Sequence, residues 1–388
     1  MINIKDKHNC CGCEACVQAC PKQCISFEED TEGFRYPKVD ESLCVDCGAC
    51  ERTCPVLTPF ESRRPQKQFA AINPDETIRK QSSSGGIFTM LAEKVIDEGG
   101  IVFGVRFDKN WQAVFDYTET VKGLAAFRGS KYVQARVGIV FRQVRDFLKQ
   151  GRKVLFTGTP CQVSALRHFL HHEYENLLLV DFICHGVPSP KVWRLYLDEV
   201  TKNTVRTIND VQFRNKKQGW KRYNFDMTYH KDGHSYNISS WHQENYYMRV
   251  FLRDVILRPS CYDCKAKGGR SGSDLTIADF WGIGQLNPEM DDDGGTSLVL
   301  VNTEKGFTSF NSLQLNSWEA KYEDIQRLNP SVELSVKEHP KRRCFFARLD
   351  VANSIISLIA STLHIPMRLR IKLFFQRVLR KVRCILGG

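Results

Sequence analysis

The feature that most constrains this chain is a cysteine pattern written twice before residue 56. Cys10-x-x-Cys13-x-x-Cys16-x-x-x-Cys20-Pro21 is matched by Cys44-x-x-Cys47-x-x-Cys50-x-x-x-Cys54-Pro55. Three cysteines at that spacing can wrap one face of a four-iron cubane, and the fourth, followed by proline, reaches across to the other cluster. This assigns Cys10, Cys13, Cys16 and Cys54 to one [4Fe–4S] cluster, and Cys44, Cys47, Cys50 and Cys20 to a second. C-x-x-C pairs also bind zinc, but a third C-x-x-C step closing on Cys-Pro, twice over, is not a zinc pattern. Cys11 and Cys24 fall outside it and read as small buried residues beside the clusters.

Ten of the 16 cysteines lie in this segment. Residues 1–7 contain no apolar run of the kind that opens a secretion signal. A reduced, cytoplasmic setting is therefore expected, where clustered thiols mean metal rather than disulfides. The formal net charge is +11, but Arg368, Arg370, Lys372, Arg377, Arg380, Lys381 and Arg383 supply seven of it, leaving +4 on the rest of the chain. Ligated clusters bring that remainder near neutral, so no nucleic-acid partner is expected. The most apolar stretch, 351–365, is too short to span a bilayer and is broken by Asn353, Ser354, Ser357 and Ser361.

The length suggests two or three domains. Residues 1–57 read as an α+β ferredoxin-like domain holding both clusters, followed by a polar, proline-containing linker over 58–68. Over 69–330, short apolar strands (101–105, 154–156, 177–180) alternate with helical patterns (from 87, then 141–148, 163–170 and 191–200). That predicts an α/β domain with a largely parallel sheet. A smaller antiparallel insertion is expected over 205–240, with a tight turn at Lys231-Asp232-Gly233, and further core strands at 275–278 and 297–301. The hydroxyls of Ser82, Ser83 and Ser84 are expected to cap the helix starting near Ile87. Residues 331–388 form a C-terminal extension.

Outside the repeat, Cys161 and Cys184 each follow a predicted strand, and parallel strands bring such ends to one edge of a sheet. Cys261-x-x-Cys264 is a chelating pair. The spacing leaves two readings open: a third [4Fe–4S] cluster on these four thiols, or buried structural cysteines with a zinc knuckle. His171 and His172 read as solvated, His185 as a hydrogen-bonding neighbour of Cys184, and Asp291-Asp292-Asp293-Gly294-Gly295 as a turn lacking the spaced ligands of a calcium loop.

Several blocks resemble the family of coenzyme F420 hydrogenase/dehydrogenase beta subunits. They are Ser83-Ser84-Gly85-Gly86, Arg128-Gly129-Ser130-Lys131-Tyr132-Val133-Gln134, Thr157-Gly158-Thr159-Pro160-Cys161-Gln162, Cys184-His185-Gly186-Val187-Pro188-Ser189-Pro190, Cys261-x-x-Cys264 and Ala278-Asp279-Phe280. The resemblance implies a non-covalent FAD beside a third [4Fe–4S] cluster on Cys161, Cys184, Cys261 and Cys264. It implies that Ser84, Gly85 and Gly86 let backbone approach the flavin at a helix N-terminus, that Gly129, Ser130, Lys131 and Tyr132 contact its ring or phosphates, and that Thr157 and Gly158 line the same pocket. Lys131 would then stabilise the reduced, anionic flavin; the plain alternative is a solvated charge.

These features read as an iron–sulfur flavoprotein oxidoreductase, an enzyme passing electrons between a ferredoxin-type donor or acceptor and a hydride substrate such as F420 or a related compound. Its protein partner would be a ferredoxin or a dehydrogenase or hydrogenase subunit. Two rivals stand beside that reading: an electron-transfer subunit with no substrate of its own, and a cluster-bearing accessory protein of a surface-glycan pathway at the membrane. The last draws on residues 367–388, a basic amphipathic helical pattern suited either to peripheral contact with an anionic membrane face or to docking on an acidic partner.

Overall fold

A computed structural model describes residues 1–202 and 207–364. The basic segment 367–388 lies outside the described residues. Among those described, no helix is long and apolar enough to cross a membrane.

Thirteen strands form three sheets among the described residues. In chain order they are β1 (Ile25–Glu29), β2 (Arg35–Val39), β3 (Lys67–Ile72), β4 (Ile101–Phe107), β5 (Ala113–Thr118), β6 (Val154–Thr157), β7 (Leu177–Phe182), β8 (Ile208–Asn215), β9 (Asn224–Lys231), β10 (His234–Trp241), β11 (Leu275–Asp279), β12 (Ser297–Val301) and β13 (Asn316–Glu319). The main sheet runs β13-β3-β12-β11-β7-β6-β4-β5. Its centre, β11-β7-β6-β4, is parallel, and antiparallel strands extend it on both sides. The apolar runs Val154-Leu155-Phe156 and Leu177-Leu178-Leu179-Val180 are buried throughout, as strands covered by helices on both faces must be. The predicted helices appear at Ile87–Asp97, Val140–Lys149, Pro160–Leu170 and Pro190–Val200. The insertion is the antiparallel sheet β10-β9-β8. Asp232 and Gly233, with φ of 50° and 76°, make the β9–β10 turn, the positive-φ pair a two-residue hairpin requires.

The N-terminal unit consists of the antiparallel pair β1–β2 and two short helices, Ala15–Ala19 and Ala49–Arg52, one in each cysteine repeat. It is docked tightly on the α/β body. Cys13, Ala15 and Phe34 belong to the same buried cluster as Phe141, Phe156 and Trp193 of the body. The Gln18 side-chain oxygen accepts from the N–H groups of Phe141 and Arg142 at 2.9 and 3.3 Å, so the first repeat caps a helix of the body. Further on, the Arg342 guanidinium pairs with Glu32 and donates to the Leu257 carbonyl.

One local expectation is corrected. The serine hydroxyls do not cap helix Ile87–Asp97; its N-cap is Gly86, with φ of 87° and no side-chain cap. Ser82 donates to the Ile78 carbonyl and Ser84 to the Thr296 carbonyl, while Ser83 meets Ser130. The first backbone N–H groups of that helix are thus left open to an external acceptor.

Candidate functional site

The carboxyl ends of the parallel strands converge on a cleft of about 710 Å³, a size suited to a bound cofactor. Segments following β6, β7 and β11 all line it: Thr157-Gly158-Thr159, Phe182 to Pro188, and Asp279 with Trp281. Ser84, Gly86, Gly129, Ser130, Lys131, Tyr132, Thr157 and Gly158 line the same cleft. Gly85 does not; its N–H donates to Ser297 Oγ at 3.0 Å, and a Cβ there would lie 2.5 Å from the Ala71 carbonyl oxygen. Its role is close backbone packing. The two loops that bear these residues are tied together: Ser130 N–H donates to Ser83 Oγ at 2.8 Å, with the two hydroxyls 2.9 Å apart.

Lys131 is half-buried and turns its ammonium to the carbonyls of Ala126 and Arg128 at 2.9 and 2.8 Å. Desolvation pushes its pKa down to about 7. The cleft also holds a cation that the sequence did not single out. Arg214, at the end of β8, is buried and grips Asp279 with two bonds of 2.7 and 3.1 Å. Its guanidinium lies 4.1 Å from the Tyr223 ring centre. The antiparallel insertion therefore closes the cleft, a role its alternating pattern could not signal.

The cysteines fall into three sets. Cys10, Cys13, Cys16 and Cys54 ring one pocket, with Cys11 beside them. Cys20, Cys44, Cys47 and Cys50 ring another, with Cys24 beside them and its sulfur 3.4 Å from that of Cys20. Cys161, Cys184, Cys261 and Cys264 share a third pocket, again with Cys11 at its edge. The first two sets are those the spacing assigns, and the third gathers the four thiols that the family resemblance implies. Among the described residues no three His, Cys, Asp or Glu side chains gather as the ligands of a single metal ion. Backbone and side-chain donors face several sulfurs, as thiol-ligated metal sites require: Ile2 N–H to Cys50, Val187 N–H to Cys261 and Arg258 to Cys10, each at 3.4 Å.

The comparisons follow the same division. Residues 9–57 match the 4Fe-4S dicluster domain, residues 68–140 the N-terminal part of the coenzyme F420 hydrogenase/dehydrogenase beta subunit, and residues 151–324 its C-terminal part. The chain belongs to the family of coenzyme F420 hydrogenase/dehydrogenase beta subunits. It is 26% identical over 249 residues to a subunit of the F(420)H(2) dehydrogenase of Methanosarcina mazei, covering 59% of this chain and 66% of that one. It is 24% identical over 184 residues to the coenzyme F420-dependent sulfite reductase of Methanocaldococcus jannaschii, covering 45% of this chain and 28% of that one. The chain thus spans less than two thirds of these relatives. A ferredoxin of Streptomyces griseus is 42% identical over 59 residues, 15% of this chain and 45% of that one.

Within this beta-subunit-like body, several bland readings hold. The acids of the 291–293 run are spent on structure: Asp292 pairs with Arg79, Asp291 with Lys221, and Asp293 accepts the Lys221 N–H. His171 ends helix Pro160–Leu170 with φ of 57°. His185 lines both the third thiol pocket and the cleft, and its Nε2 lies 2.6 Å from the Asp254 carboxylate, which fixes the ring.

Proposed function

We propose that the chain is an iron–sulfur flavoprotein oxidoreductase carrying three [4Fe–4S] clusters and FAD, and moving electrons between a protein partner and a two-electron substrate. The observation that carries this is a shared wall: the segment Cys184-His185-Gly186-Val187 lines both the third thiol pocket and the large cleft. When bound, the clusters would supply single-electron steps and FAD the two-electron exchange.

The residues divide that labour. The three thiol sets would hold the clusters. The open N-terminus of helix Ile87–Asp97 favours negative charge in the cleft. Lys131 adds a cation whose protonation is poised near neutrality, and the Arg214–Asp279 pair ties the end of β8 to the end of β11. Val105, Phe182, Phe251 and Ile277 give the cleft apolar sides that exclude water. The relatives' names point to F420 or a related hydride carrier as substrate. Exposure of Cys47 favours a protein partner at the second thiol set, either a ferredoxin or a dehydrogenase or hydrogenase subunit. Peripheral membrane contact would rest on residues 367–388 and is checked by liposome binding with and without them.

The test is anaerobic purification with iron, sulfide and flavin measured per chain. About twelve irons and one FAD are expected. About eight irons without flavin would reduce the protein to a ferredoxin unit on an α/β carrier.

A further inference from the structure

Cys11 lies outside the four-cysteine pattern, yet its surroundings are built with care. Its carbonyl accepts from Gln134 Nε2 at 3.2 Å, and the neighbouring Cys10 carbonyl accepts from Arg258 Nε at 2.7 Å. Arg258 is fully buried and also donates to Gln134 Oε1 at 3.1 Å and to the Arg35 carbonyl at 3.0 Å. Gly12 follows with φ of +71°, and a Cβ there would lie 2.5 Å from Gln134 Nε2 and 2.7 Å from Arg258 Nη1. The backbone of residues 10–12 is therefore fixed from the side of the body.

That clamp sets the Cys11 thiol between two sites. It lines the first thiol pocket and the third. Cys13 shares the first of these pockets with it and Cys161 the other. Cys13 belongs to the first set and Cys161 to the third, and each set already has four thiols.

We infer that Cys11 is a positioning residue that bridges electron transfer between the first and third thiol sites, and is a ligand of neither. The inference rests on the proposed function. One electron passes from the first site, oxidised by one, to the third, reduced by one. No bond forms or breaks at Cys11, and its thiol neither gains nor loses a proton. A polarizable sulfur lining both sites couples them better than a gap would.

The test uses the full chain, purified anaerobically, as Cys11→Ala and Cys11→Ser. Iron per chain is counted, and reduction of the third site by dithionite is followed by freeze-quench EPR. Iron content equal to wild type is expected in both, with third-site reduction slowed about tenfold in Cys11→Ala and partly restored in Cys11→Ser, which keeps a hydrogen-bonding group. Unchanged kinetics in Cys11→Ala, or loss of about four irons marking Cys11 as a ligand, would overturn the bridge while leaving the proposed function standing. A wild-type protein with only about eight irons would sink that reading, and the bridge with it.

Discussion

The two cysteine repeats are the same motif put to different uses. Both start their short helix after a residue with positive φ: Glu14 at 59° and Gly48 at 70°. Glycine is the ordinary choice there, and a glutamate costs about 1 kcal/mol of backbone strain. The first repeat recovers that cost at its interface, where the buried Glu14 carboxylate accepts the Gly138 N–H at 2.8 Å and pairs with Arg35 at 3.2 Å. Position 11 is a cysteine facing the body, whereas its counterpart Val45 is 58% exposed, as Leu43 is at 55%. Cys10, Cys13, Cys16 and Cys54 are all buried, but Cys47 is exposed and Cys44 only half-buried. Spacing decides which thiols meet; the residues between them decide which site faces inward and which faces a partner.

The sharpest test of this contrast sets one arginine against another. Arg258 holds the Cys10 carbonyl from a fully buried position, while the exposed Arg52 donates to the Cys47 carbonyl at 2.9 Å. Arg258→Met strands the buried Cys10 carbonyl and the partly buried Arg35 carbonyl and should cost about 3 kcal/mol in urea unfolding, with loss of iron from the first site. Arg52→Met should stay within about 0.5 kcal/mol. Equal losses would show that the two repeats are held alike. A smaller effect is expected for Glu14→Gly. It relieves strain worth about 1 kcal/mol but removes the charged hydrogen bond from Gly138, worth about 1.5–3 kcal/mol, while the partly exposed Arg35 pair counts for little, for a net loss of about 0.5–2 kcal/mol. A more stable variant would mean that the docking contact contributes nothing. Smaller again in stability, the double change Leu43→Asp and Val45→Asp should leave unfolding within about 0.5 kcal/mol. It should nevertheless slow reduction by a dithionite-reduced ferredoxin while leaving reduction by dithionite alone unchanged. If both rates stay the same, the second repeat is not the docking face.

What could be read from the sequence follows from the physics of each feature. Cysteine spacing within a short repeat limits which thiols can meet, so it carried over to the first two thiol sets, whereas the third joins cysteines far apart in the chain and was grouped only through the family resemblance. Continuous apolar runs such as Val154-Leu155-Phe156 can only be buried, and they became central strands. The serine cap failed because hydroxyls have several acceptors within reach, and here tertiary carbonyls outcompeted the helix end. Arg258 and Arg214 stayed invisible because a single polar residue carries no period; only burial reveals its task. Glu14 was within reach. Laid in register, the two repeats put Glu14 where the other has Gly48, and a glutamate in a glycine's place signals a compensating contact.

The contrast between inward and outward sites extends to the cleft, where charge rather than thiol count sets the chemistry. Lys131 has two carbonyl acceptors and no carboxylate within ion-pair range among the described residues, and burial pushes its pKa down to about 7 from 10.5. The unfolded chain therefore holds a proton that the folded chain lacks between about pH 7 and 10.5, and stability of the flavin-free protein should rise across that window. Below about pH 7 both states hold the proton and this contribution is flat. Lys131→Met should remove the slope, measured as urea midpoints at several pH values. Binding should respond in the opposite sense. Protonated Lys131 attracts the anionic groups of FAD, so affinity should weaken as pH rises through 7 in the wild type and stay level in Lys131→Met. If the mutant keeps the wild-type pH profile of FAD binding, Lys131 is only a solvated rim charge, and the helix N-terminus behind Gly86 is left as the source of the cleft's preference for anions.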